Sequence, residues 1–353
     1  PPTYDQSTQS YPVLYMTDGN GHLTHTRGTV DFLARNGLMP QVIIVGVNNT
    51  DRTRDLTPTH VARREINGRV FENPTSGGAS EFLDFFEQEL FSYIDANYRT
   101  NPLRLFTGHS FGGLFALNAL FTRPEMFDAV LAVSPSLNWD DELPNRQAET
   151  FFENRDELTV TLFVAMANEE EGDPRPNRLD RLEKALESAE TAGFEWQVMP
   201  MPDETHGSVV LRAHYWGLRK VFSGWQMPMD QETGGFGGGL EGLEKHYQAL
   251  SKRYGFTVVP AEDMVNGLGY QFLGREEFDD AIEVFRYNVE LYPASANVYD
   301  SLGEALENAG KLEEAVKNYS KAVDAAATIG DDRIGIFTTN RDRAKAELEK
   351  QQQ

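Results

Sequence analysis

The chain has 353 residues, 40% hydrophobic and 25% charged, with a formal net charge of −23. That length carries a full core and suits two domains, while the negative field argues against nucleic acid and anionic membranes as partners. There is no cysteine, which excludes disulfides, thiolate metal sites and a cysteine nucleophile, and no apolar run approaches the ~20 residues of a membrane span.

The chain opens at Pro1-Pro2 with neither a methionine nor a leader-like run. It reads as a trimmed product whose compartment stays open: periplasmic or secreted if a signal has been removed, cytoplasmic otherwise. Strands and helices then alternate through the first two-thirds. Short apolar runs at 11–16, 41–47, 103–106, 129–133, 159–165 and 196–201 read as buried strands. Helical periodicity marks 80–98, where Phe82, Phe85, Phe86, Leu90, Tyr93 and Ile94 recur on one face. It also marks 114–121, 178–192 and 208–222. This order predicts a mostly parallel sheet with helices on both faces, and a nucleophile elbow at residues 108–112 makes it an α/β-hydrolase fold.

After the first strand comes Asp18-Gly19-Asn20-Gly21. A loop after an early central strand supplies one oxyanion donor in this fold, and the backbone N–H of Asn20 is the candidate. Gly108-His109-Ser110-Phe111-Gly112 then matches the G-x-S-x-G nucleophile elbow, with a strand before it and a helix after it. The turn is sharp, so small residues must flank the serine. Ser110 is the candidate nucleophile, and the N–H of Phe111, at a helix start, is the other oxyanion donor.

A serine hydroxyl needs a base, and the base an orienting acid. The chain order in this fold is serine, acid, histidine. His22, His25, His60 and His109 precede or adjoin the serine, and His109 reads as elbow packing with its ring turned inward. His214 falls inside a helical run and His246 in a later helix. His206, on a short loop between a strand and a helix, is the candidate base. The acid belongs after the strand at 159–165, where Glu169, Glu170, Glu171 and Asp173 cluster. A Gly-x-x-Asp/Glu spacing, with Ala167 in place of glycine, favours Glu170, with Glu169 next.

The pattern changes after Phe222. Residues 234–239 are a glycine-rich hinge with no P-loop context, and 240–254 read as a helix. Residues 262–327 repeat with a period of 34: Leu268-Gly269 recurs as Leu302-Gly303, Ala281 as Ala315 and Phe285 as Tyr319. This resembles two tetratricopeptide-like helix–turn–helix units. Two such units bury little alone, so they should dock on the first domain or be capped by a final helix near 341–351.

These motifs together resemble an esterase family that includes esterase D, enterochelin-type siderophore esterases and feruloyl esterases. The matching stretches are residues 11–19, the elbow 108–113, the loop 134–139, the histidine loop 204–208 and, for siderophore-esterase-like bacterial members, 49–58. The resemblance covers nearly the whole chain. It departs from the family at Ala167 and in lacking the family's first strands. It implies that Trp139 and Arg52 lie near the mouth of the site. Trp139 would line the substrate pocket and Arg52 would bind an acidic substrate, or pair with an aspartate to stiffen its loop.

The reading is therefore an α/β-hydrolase catalytic domain at 1–225, a glycine-rich loop and linker helix at 226–261, and a small all-α helical-repeat domain at 262–353. The expected activity is serine carboxylester hydrolysis through an acyl-enzyme with a Ser110–His206–Glu170 triad, with a small-molecule ester as substrate and no cofactor or metal. Acyl transfer and thioester hydrolysis use the same parts. An alternative from another class is a protein-interaction module, with a partner or a second copy bound through the repeats.

Overall fold

In the computed structural model, residues 1, 4, 9–66, 68–153, 155–169, 178–228 and 237–352 are described. The chain divides into two units, Pro1–Gln226 and Met227–Gln353.

The first unit is built on β1 (Tyr11–Met16), in which every residue is buried, as expected of a central parallel strand covered on both faces. It is followed by α1 (Gly19–Arg35), β2 (Ile43–Gly46), the short α2 (Arg52–Leu56) and a hairpin of β3 (Arg63–Ile66) and β4 (Arg69–Glu72). Next come α3 (Ala79–Phe85), a π-helical turn (Phe86–Leu90), α4 (Phe91–Asn97), β5 (Thr100–His109) and α5 (Phe111–Thr122). The unit ends with β6 (Ala129–Val133), α6 (Leu143–Phe151), β7 (Thr161–Ala167), α7 (Arg178–Glu187), β8 (Glu195–Met201) and α8 (Val209–Val221). The main sheet has the order β2-β1-β5-β6-β7-β8, and all its pairings are parallel. This is the α/β-hydrolase fold expected from the alternation together with the elbow motif.

Three local differences from the sequence reading have physical causes. The helix predicted over 80–98 is interrupted by the π turn, which adds a residue and shifts the phase. Phe82, Phe86, Phe91 and Ile94 therefore face the core, whereas Tyr93 is 60% exposed. The Phe82, Phe86 and Phe91 rings join Tyr15, Phe106, Phe115 and Phe127 in one aromatic cluster. Secondly, α1 begins at Gly19, so the tetrapeptide read as a loop is a single left-handed residue, Asp18 (φ 54°, ψ 37°), followed by helix. Thirdly, the β3–β4 hairpin carries no alternation strong enough to register as strands, and all of β4 is exposed.

The second unit is helical among its described residues: α9 (Gly239–Tyr254), α10 (Glu262–Leu273), α11 (Phe278–Leu291), α12 (Ala296–Asn308), α13 (Leu312–Ile329) and α14 (Ile334–Gln351). Residues 234–236 of the glycine-rich stretch lie outside the described residues. The 34-residue period has a packing cause. A Cβ on Gly269 would lie 2.5 Å from the Phe285 ring, and one on Gly303 would lie 2.7 Å from the Tyr319 ring. In each helical pair the glycine thus makes room for the aromatic of the next helix. The last helix closes the stack: Ala344 joins the core of Phe285, Leu302 and Tyr319, and Phe337 packs with Ala296, Ala322 and Ala326. No helix among the described residues is long and apolar enough to cross a membrane.

Candidate active site

The site forms at the carboxyl ends of β1, β5, β6, β7 and β8, where the parallel strands release their loops. Ser110 stands between β5 and α5 with φ 61° and ψ −115°, a conformation costly for any residue with a side chain. Its neighbours make the turn possible. A Cβ on Gly108 would lie 2.2 Å from the Gly112 carbonyl oxygen, and one on Gly112 2.3 Å from Thr17 Oγ1. The loop after β6 braces the turn. Ser110 N–H donates to the Val133 carbonyl at 3.0 Å, and Ser136 N–H to the Ser110 carbonyl at 3.3 Å. Ser134 Oγ in turn accepts the N–H of Ala167 at the end of β7 at 3.0 Å.

His206 lies on the loop between β8 and α8. Reciprocal bonds between Thr205 and Ser208 brace the loop just before α8, and Ser208 Oγ donates to Glu204 at 2.6 Å. The N–H of Asn168 donates to the Glu204 carbonyl at 2.9 Å, which ties this loop to the end of β7. The result is a 2.7 Å contact between His206 Nδ1 and Glu169 Oε1. The carboxylate on the imidazole is thus that of Glu169, the second choice of the sequence reading. Glu170, the first choice, lies outside the described residues. The strand runs to Ala167, two residues beyond the predicted end, so the loop starts later than the spacing implied.

Ser110 and His206 line one cavity of about 750 Å³, together with Phe111, Leu137 and Glu169. Among the described residues Ser110 makes no hydrogen bond to His206. Such bonds are often long without substrate and tighten when it binds.

His109 is more than packing. Its Nε2–H donates to the His206 carbonyl at 2.7 Å, and the two rings lie 4.5 Å apart. Burial, reinforced by the neighbouring His206, pushes its pKa down to about 4, so at neutral pH it is an uncharged donor holding the His206 loop. Beneath it, His22 packs 5.5 Å from His109, and His25 stacks 5.9 Å from His214. His214 is buried between Thr26 and Thr107, 3.0 and 3.1 Å away. Burial pushes its pKa down to about 3.

The oxyanion donors divide. The Phe111 N–H opens α5, where no helical carbonyl lies four residues back to accept it. The Asn20 N–H, in the first turn of α1, donates to Asn48 Oδ1 at 2.7 Å. It is therefore occupied in this structure, contrary to the expectation of a free donor.

The two residues expected at the mouth are placed differently. Arg52 does not line the cavity. It grips Asp18 through two bonds of 2.7 and 2.9 Å and donates to the His109 carbonyl at 3.1 Å, so it stiffens the elbow and the turn into α1. Trp139 is fully buried. Its Nε1–H donates to Thr59 Oγ1 at 3.0 Å, and its ring lies behind Phe111 and Arg64, which do line the cavity. It supports the wall rather than forming it. Sequence reasoning missed Arg64 because the hairpin that presents it was not recognised, and Asn48 because nothing local links it to Asn20.

Fold and site together define an α/β-hydrolase with a serine elbow. The family model described as "Putative esterase" matches residues 1–192, more than half of the chain, and the chain belongs to that esterase family. It is 32% identical over 153 residues to a ferri-bacillibactin esterase of Bacillus subtilis, covering 40% of this chain and 53% of that one. To a siderophore enterobactin esterase of Emericella nidulans it is 34% identical over 164 residues, covering 42% and 53%. The chain thus spans about half the length of these curated relatives. Among solved structures it is similar to an IroE-like serine hydrolase from Shewanella oneidensis, with a TM-score of 0.67 and 29% identity over 82% of this chain and 93% of that one.

Proposed function

We propose that this chain is a serine carboxylester hydrolase working through an acyl-enzyme. Ser110 Oγ attacks the ester carbonyl while His206 Nε2 takes its proton. Glu169 accepts the Nδ1–H of His206, which fixes the tautomer and stabilises the imidazolium as it forms. The Phe111 N–H meets the oxyanion. The Asn20 N–H becomes the second donor once the exposed Asn48 side chain yields to substrate. His206 then returns the proton to the leaving alcohol, and water, deprotonated by the same histidine, releases the acid. His109 and Arg52 act as positioning residues, one on the loop of the base and the other on the elbow. The catalytic domain in this reading is residues 1–225.

The observation that carries this reading is the convergence on one cavity of a strained elbow serine and a histidine bonded at 2.7 Å to a carboxylate. The relatives' names support an ester of the siderophore kind as substrate. Turnover of short-chain 4-nitrophenyl esters by wild type and Ser110→Ala tests the reading. Wild-type turnover that the variant loses is expected; equal rates would overturn it.

A further inference from the structure

One cation in the cavity wall, Arg64, has no counter-ion among the described residues. Arg64 sits on β3 opposite Phe71 of β4, and both line the cavity with Ser110. The carbon of its guanidinium lies 4.5 Å from the Trp139 ring centroid and 5.1 Å from that of Phe111. Its Nε is buried without a hydrogen-bond partner, and no carboxylate reaches it within ion-pair distance among the described residues. The other arginines nearby are engaged: Arg52 with Asp18 at 2.7 Å and Arg178 with Glu142 at 3.3 Å. Acidic residues outnumber basic ones by 55 to 32 in this chain, yet among the described residues none forms an ion pair with Arg64. A half-buried guanidinium without an acceptor is costly to keep. Burial draws its pKa below the ordinary value, but an arginine remains protonated even so.

We propose that Arg64 is a specificity-determining residue that binds a carboxylate carried by the ester substrate, so that the preferred substrates are esters of apolar body bearing one anionic oxygen group. This rests on the esterase reading of Ser110. The Trp139 and Phe111 rings, edge to face with each other, hold the guanidinium by cation–π attraction. Its N–H fork matches a carboxylate with two parallel bonds. Phe71, Leu137 and Leu179 add apolar surface to the same cavity, and a lower local dielectric strengthens such a pair. A lysine would keep the charge but lose both the stacking and the fork.

Two pairs of probes place the charge on either half of the ester. The acyl pair is 4-nitrophenyl hemiglutarate and its methyl ester; the alcohol pair is 4-carboxyphenyl acetate and phenyl acetate made comparable by a neutral para-methoxycarbonyl group. The measured quantity is the anionic-to-neutral ratio of kcat/KM. Wild type is expected to favour the anionic member of at least one pair. Arg64→Gln should lower that ratio by roughly 10-fold, with Arg64→Lys in between. Equal or reversed preference in both wild-type pairs, or a ratio unmoved by Arg64→Gln, would overturn the proposal while the esterase reading stands. No turnover of any probe would remove both. If Arg64→Gln fails to fold, the wild-type ratios decide, together with competitive inhibition of the neutral ester by glutarate or benzoate.

Discussion

Both units press atoms against a glycine, and they put the contact to different ends. In the hydrolase unit, Gly108 and Gly112 let the chain double back on itself, and the strain falls on one residue, Ser110, at φ 61°. In the helical unit, Gly269 and Gly303 receive an aromatic ring apiece, one period apart, from within relaxed helices. One arrangement occurs once and holds a reactive group in an uncomfortable position. The other recurs and simply brings helices together. Local sequence looks alike in the two cases; what distinguishes them is what stands opposite. Across from Ser110 is His206 with its carboxylate, whereas across from Gly303 is a buried Tyr319 ring bonded to Glu307 at 2.8 Å. Strain at a site facing titratable groups is a mark of chemistry. Repetition facing a core is a mark of packing.

The largest effects should come from the strained turn and its partner. Ser110→Ala and His206→Ala are each expected to lower kcat by roughly 10³-fold or more, and the double variant should be little worse, because the pair acts as a unit. Steady-state kinetics that gave multiplicative losses would show the roles to be wrongly assigned. Next, Glu169→Gln should lower kcat by about 10²-fold, as the tautomer and charge of the base are lost, while Glu170→Gln should do less. A rate indifferent to Glu169 would leave a serine–histidine pair acting without an acid.

The two kinds of glycine can be set directly against each other. Gly112→Ala puts a methyl group into Thr17 and displaces the elbow, so kcat should fall by roughly 10-fold or more. Gly303→Ala puts one into the Tyr319 ring and should cost about 1–3 kcal/mol of stability, with esterase kcat retained. Thermal melts alongside the kinetics separate these outcomes, and a Gly303→Ala enzyme with impaired turnover would break the contrast.

The last effect concerns acid and leaves the strained elbow itself untouched. His109 and His214 have pKa values pushed down to about 4 and about 3, and burial also lowers those of His22 and His25. The unfolded chain takes up these protons near pH 6.5, the folded chain only at lower pH. Stability from the cluster is therefore complete above about pH 6.5 and declines as pH falls towards 4, by on the order of 1–2 kcal/mol per strongly shifted histidine at pH 5. The melting temperature at pH 7 and pH 5 checks this. An unchanged value would mean that the cluster charges without cost in the folded state.

By itself the sequence determined the alternation that makes a parallel sheet, the elbow around Ser110, the candidacy of His206 and the 34-residue period. Each is local: hydrophobic spacing, glycines beside a serine, small and aromatic residues repeating in register. Tertiary structure alone decided what depends on residues distant in the chain. It set Glu169 Oε1 2.7 Å from the His206 imidazole, because the end of β7 is set by pairing with β8. It turned Arg52 towards Asp18 and buried Trp139, while Arg64, from a hairpin without a sequence signal, faces the cavity. It also occupied the Asn20 N–H with Asn48, 28 residues further along. Backbone pattern is written in neighbouring residues, but which side chains meet at the sheet edge is set by loop lengths and strand ends that only packing resolves.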